Sequence, residues 1–203
     1  MKRQTGWKAL DALYSSGYIS LQQNQSVEGF FVSDCGVLFV RNNARPLEKL
    51  TTLLNVIREI NLKMTEQGFM LKSSVAYGRF TYKNRIEFSG IEKNPIYGNA
   101  YLSAVIDNEE TRPKIEPTQC RIVKKNLPLN PNQLGVNNPI TELISERKND
   151  NKHYYFYWMV DEATKINAFE KLFQDAYQLK YSGMLIAAKT FAFNSGNLNQ
   201  LRH

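Results

Sequence analysis

The chain has 203 residues, of which 42% are hydrophobic, 22% charged and 12% aromatic, with a formal net charge of +7. That composition excludes a disordered or fibrous protein, and the length suffices to bury a sizeable core in one domain. The charge permits attraction to an anion, but the basic residues are dispersed. Their densest group, Arg147, Lys148 and Lys152 around Asn149-Asp150-Asn151, reads as a solvated loop.

Trp7, Leu10 and Tyr14 precede Gly17 at helical spacing and predict a short amphipathic opening helix whose apolar side needs a sheet to cover. From Phe30 to Val40, two apolar runs flank Ser33-Asp34-Cys35-Gly36 and predict a β-hairpin with Asp34 at or beside its tip. Leu47, Leu50, Leu54, Ile57, Ile60 and Met64 recur every three or four positions, so a helix runs from Pro46 to about Gly68. Leu71 to Phe80 has strand character and leads into Thr81 to Ile86, a second expected hairpin, before a helix from Gly98 to about Glu110 and a strand at Cys120 to Lys124.

The Asn/Pro-rich stretch that follows denies the backbone a continuous ladder, and residues 126–152 read as an excursion from the sheet. His153 to Val160 predicts a buried strand, with Asp161 placed to cap a helix carrying Ile166, Phe169 and Phe173. A last helix from about Gly183 to Phe193 precedes an Asn-rich tail. The expected organisation is a core at 1–125, the excursion at 126–152, and a C-terminal strand with helices at 153–203 packed on the same domain.

Cys35 and Cys120 form neither a CxxC pair nor a disulfide ladder, which favours a reducing compartment. The opening Met-Lys-Arg-Gln-Thr-Gly-Trp lacks an apolar signal region, and no run has the length to cross a bilayer. A cytoplasmic protein without a membrane partner is expected. No nucleic-acid-binding module is recognisable, so the charge alone argues for no nucleic-acid partner.

Val32-Ser33-Asp34, Leu71-Lys72-Ser73-Ser74-Val75-Ala76-Tyr77-Gly78-Arg79, Ile96-Tyr97-Gly98-Asn99-Ala100-Tyr101-Leu102-Ser103-Ala104 and Cys120-Arg121-Ile122 stand in an order and spacing that resembles the class III nucleotidyl cyclase family. The bacterial branch with the pyrimidine (cytidylate and uridylate) cyclases of Pycsar antiphage defence is the most similar. The resemblance covers roughly residues 26 to 124. It implies an α+β, ferredoxin-like βαββαβ palm, here without its first strand, and a homodimer that converts a nucleoside triphosphate to cyclic CMP or cyclic UMP in antiphage signalling.

The same resemblance implies two magnesium or manganese ions held by two aspartates, because a 3′-hydroxyl must lose its proton beside a triphosphate. Asp34 matches the hairpin aspartate. The first-strand aspartate has no counterpart, since Asp11 falls inside the opening helix, and this pattern is what a truncated N-terminus leaves. Phe30, Ser33, Tyr77, Arg79 and Tyr101 are the expected nucleotide-binding residues. The family's asparagine and arginine fall at Leu102 and Ile106, which cannot orient a ribose or stabilise a transferring phosphoryl group. A second reading is therefore a catalytically degenerate palm that binds a nucleotide or a protein partner. Residue by residue, duller accounts also hold: Asp34 as a turn former, Tyr77 and Tyr101 as packing residues, Arg79 and Arg121 as solvent-paired strand ends, His153 as a residue without a metal-ligand companion.

Overall fold

The first helix, α1 (Lys2–Gln23), does not stop before Gly17. Gly17 is where the Phe31 ring comes closest: a Cβ there would lie 2.0 Å from Phe31 Cζ. The buried side of α1 is Ala12, Leu13, Ser16 and Ser20, while Trp7 is exposed. The cover it finds is mainly a helix, because Ala12 and Leu13 cluster with Val56, Ile60 and Met64. These positions belong to a computed structural model that describes residues 2–83, 85–88, 91–93, 95–135 and 138–194, with residues 2–5, 85–88 and 91–93 described by backbone alone. The expected tail after Asn194 lies outside the described residues.

The expected hairpin is formed by β1 (Glu28–Val32) and β2 (Cys35–Phe39). Val32 pairs with Cys35, so Ser33 and Asp34 are a two-residue loop. Ser33 has φ of 55°, the positive value that a tight hairpin turn needs at its first loop position. Next comes α2 (Pro46–Glu66), with Pro46 in the first turn and the Glu48 carboxylate accepting from the Arg45 N–H at 3.2 Å. Gly68, at φ of 88°, ends the helical run in the left-handed conformation.

Downstream of α2, β3 (Ser73–Val75) is shorter than the sequence suggests. The second hairpin is longer than Thr81 to Ile86: β4 (Thr81–Tyr82) pairs with β7 (Ile96–Tyr97), and β5 (Arg85–Phe88) pairs with β6 (Ile91–Lys93) between them. Helix α3 (Asn99–Glu109) and strand β8 (Cys120–Val123) match expectation. From Ile144 the stretch at 126–152 carries strand, β9 (Ile144–Arg147), and β10 (Asp150–Phe156) begins three residues before His153. Beyond Phe156 the chain leaves the ladder, so the expected strand stops short of Val160.

The main sheet has the order β3-β8-β10-β9, with β3 parallel to β8 and the other pairs antiparallel. The β1–β2 hairpin is a separate two-stranded sheet. The architecture is mixed α+β. Because strand side chains alternate, the register puts Val75, Cys120, Ile122, Tyr154 and Phe156 on one face and Ser74, Arg121, Val123, His153 and Tyr155 on the other. The first set joins Leu54 and Ile57 of α2 in the larger apolar cluster. Ser74, Arg121 and His153 of the second set meet α3 at Asp107.

Two C-terminal helices, α4 (Ile166–Ala176) and α5 (Lys180–Asn194), close the apolar side, with Phe169 edge-on to Phe191 at 5.5 Å. Between β10 and α4 the buried segment Tyr157 to Val160 is pinned from α2: Arg58 donates to the carbonyls of Trp158 and Val160 at 3.0 and 3.2 Å. Asp161 does not cap α4. Its carboxylate takes Lys165 Nζ at 2.8 Å instead. Among the described residues no helix is long and apolar enough to cross a membrane.

Candidate functional site

The hairpin places Asp34 where the sequence predicts it, exposed at the tip beside exposed Ser33. Among the described residues its one hydrogen-bonding neighbour is the Cys35 thiol, which donates to Oδ1 at 3.7 Å. Partial burial, and then the Asp34 charge, push that thiol up from its ordinary value, and Glu109 adds to the effect.

Phe30 is not a free platform. Its ring stacks on Tyr82 with centroids 4.9 Å apart and planes 12° from parallel. Tyr82 also meets Phe39, which packs on Phe80 at 4.6 Å, and the Arg41 guanidinium caps Phe39 at 4.7 Å. One face of Phe30 is thus spent on holding the hairpin to β4.

Arg79 and Tyr77 are exposed on the segment between β3 and β4, and Tyr101 is half-buried on the first turn of α3. The Arg79 N–H donates to Asn99 Oδ1 at 2.6 Å, and the Arg79 carbonyl accepts from the Ala100 N–H at 3.2 Å. This close approach requires Gly98, whose φ is 134° and whose Cβ would lie 2.2 Å from the Arg79 carbonyl oxygen. Arg79 and Tyr101 are therefore brought together with the Phe30 cluster at the N-terminal end of α3. No hydrogen bond or ion pair joins Asp34 to Arg79, Tyr77 or Tyr101 among the described residues.

A polar cluster that the sequence reading missed lies beneath α3. Arg121 is fully buried, not solvent-paired: its Nη2 lies 3.0 Å from Asp107 Oδ1 and donates to the Asp107 carbonyl at 2.8 Å, while Nη1 donates to the Pro113 carbonyl at 2.6 Å. His153 has carboxylate neighbours that its sequence spacing did not show. Its Nε2 is 2.8 Å from Asp107 Oδ1 and its Nδ1 is 2.7 Å from Asp150 Oδ2. Tyr155 donates to Asp150 Oδ2 at 2.6 Å and Ser74 donates to Asp107 Oδ2 at 2.7 Å.

Burial alone would raise both carboxyls. The contact from His153 and the hydrogen bond from Ser74, then the Arg121 charge, hold Asp107 below the usual carboxylate range; Tyr155, His153 and the Lys152 N–H do the same for Asp150. Burial opposes a charged His153, but the two carboxylates outweigh it and raise its pKa. The one legible signal was the shared strand face of His153 and Tyr155. A second cluster sits at the sheet edge, where Arg147 pairs with Glu170 at 2.8 Å, lies 4.0 Å over the Tyr155 ring, and Tyr157 donates a short hydrogen bond to Glu170.

For a magnesium or manganese ion the donor set at the hairpin tip is one carboxylate and one hydroxyl. That fits an ion held chiefly by nucleotide phosphates and water. Among the described residues there is no group of three or more His, Cys, Asp or Glu that could cage a metal. Comparison with protein-family models, with curated proteins and with solved structures gave no match.

Proposed function

We propose that the chain is a cytoplasmic, nucleotidyl-cyclase-like palm in which Asp34 holds one Mg2+ or Mn2+ on a pyrimidine nucleoside triphosphate. Cyclic CMP or cyclic UMP is the product where a second carboxylate ligand is supplied. The observation that carries this reading is the exposed Asp34 on a two-residue hairpin loop, followed in order by α2, β3, α3 and β8. A bound ion would neutralise charge on the triphosphate as the 3′-hydroxyl attacks. Arg79 supplies a cation for phosphate, and Tyr77 and Tyr101 supply aromatic surface for the base.

The chain is further proposed to act as a homodimer. Leu102, Val105 and Ile106 form an exposed apolar face on α3, with Leu102 57% and Ile106 47% exposed, and a second copy would cover it. Leu102 and Ile106 also favour the degenerate alternative, since the resemblance puts them where the family carries an asparagine and an arginine.

The test incubates purified protein with CTP, UTP, ATP or GTP plus Mg2+ or Mn2+ and seeks cyclic products by mass spectrometry. Asp34→Ala is the control, and equilibrium binding of each nucleotide is measured in parallel. Metal-dependent CTP or UTP binding that is lost in Asp34→Ala, with weak or no turnover, is expected of the chain as it stands. Robust turnover lost in the variant would sink the degenerate reading, and absence of any nucleotide binding would sink the cyclase reading and every nucleotide-binding form of the degenerate one.

A further inference from the structure

His153 lies between two carboxylates: its Nδ1 is hydrogen-bonded to Asp150, and its Nε2 makes a charge contact with Asp107 Oδ1 that lacks hydrogen-bond alignment. A neutral imidazole carries one N–H, so it can donate from Nδ1 or Nε2 but not both, and its bare nitrogen would then face an ionised oxygen. Here Asp107 Oδ1 stands 2.8 Å from Nε2 and Asp150 Oδ2 stands 2.7 Å from Nδ1. The charges give the same answer. Two carboxylates face one guanidinium, Arg121, in a cluster whose charged side chains are at most 5% exposed. Only a charged imidazole makes the cluster neutral, and an unbalanced buried charge is costly.

We propose that His153 is held as an imidazolium and serves as a latch, fastening α3 through Asp107 to β10 through Asp150, that alkaline pH releases. The charged and titratable groups around it are named by element: Asp107 from α3, Arg121 from β8, Asp150 and Tyr155 from its own strand, and Arg147 of β9 over the Tyr155 ring; the Cys120 thiol of β8 lies on the opposite face of the sheet. Because the folded-state pKa is raised, the contribution is fully present below the ordinary imidazole value and is lost as pH rises through the folded one. Loss of the proton leaves the cluster one negative charge in excess. The Asp107 end then keeps only Arg121 and Ser74, and the C-terminal half of α3 loosens from the sheet. The inference does not rest on the nucleotide reading, because no residue of the latch is in that site.

The chain has two histidines, so in a His203→Gln protein the single remaining imidazole is His153. Its side-chain 15N NMR signals should show both nitrogens protonated at pH 6.5, where an ordinary histidine is about half neutral. A neutral tautomer at that pH would overturn the proposal. Hydrogen exchange of the α3 amides, referred to the α2 amides at each pH from 6 to 9, should rise several-fold through the imidazole titration. His153→Gln should abolish that pH dependence. Should that variant not fold, the unsubstituted protein still decides: an α3-to-α2 ratio unchanged across the titration would overturn the latch.

Discussion

Arg121 of β8 and Asp107 of α3 meet at 3.0 Å with 0% and 3% of their side chains exposed. The guanidinium also donates to two backbone carbonyls, of Asp107 and Pro113, so it ties a helix and the following loop to one strand. Removing one partner strands the other charge in the interior, at a cost of about 3–5 kcal/mol. Arg121→Met should lower the urea unfolding free energy by roughly that amount. Arg121→Lys should recover little, because one ammonium cannot serve three acceptors in a fixed fork. An Arg121→Met midpoint equal to that of the parent would show that the pair is not shut away from water.

Phe31 fits against two glycines, with built Cβ positions 2.0 Å from its ring at Gly17 and 2.6 Å at Gly36. Gly17→Ala should therefore destabilise by about 1–3 kcal/mol, the usual cost of overpacking. That helical position would otherwise gain from alanine. In a Phe31→Leu background the same substitution should cost less. A cycle of the four proteins by chemical denaturation checks this, and additive effects would contradict the socket.

Glycine at position 17 also shows why part of the fold was legible and part was not. The spacing of Leu47 to Met64 made α2 readable because every turn carries its own apolar residue. Gly17 read as a helix end because a sequence does not reveal that a ring from the next strand fills the vacancy. Asp34 was readable as a turn residue, since hairpin chemistry is local. The links among Asp107, Arg121, Asp150 and His153 were not, because they depend on α3 lying across the strand face that carries Arg121 and His153.

Trp158 is fully buried, and its Nε1 donates to the Thr118 carbonyl at 2.6 Å. Trp158→Phe keeps an aromatic ring and removes the donor, leaving a buried acceptor unpaired at about 1–3 kcal/mol. The expected result is a lower denaturation midpoint with an unchanged slope against denaturant. A changed slope would mean that the substitution altered more than this contact.

Acid should act through Asp107 and Asp150. Both carboxyls are held below the usual range in the folded chain. Their contribution is present above the unfolded value near 4 and is lost as pH falls through the folded values. Unfolding free energy measured from pH 7 to pH 3 should fall below about pH 4, and Asp150→Asn should flatten that fall. A stability independent of pH over this interval would count against ionised carboxylates in the cluster.

The reach of Arg58 to Trp158 and Val160 spans 100 and 102 residues of sequence. A ribosome adding about 5–20 residues per second needs roughly 5–20 s to make the second half of that contact. For that interval α2 is finished while the carbonyls its guanidinium will bind do not yet exist. The apolar residues that α2 shares with Tyr154 to Val160 are likewise without cover. Helix α1 and the first hairpin, whose contacts with α2 are much nearer in sequence, can dock in the meantime. Synthesis thus separates assembly into an early half that gathers around α2 and a late half that completes it, and the nascent chain is most open to chaperones between the two.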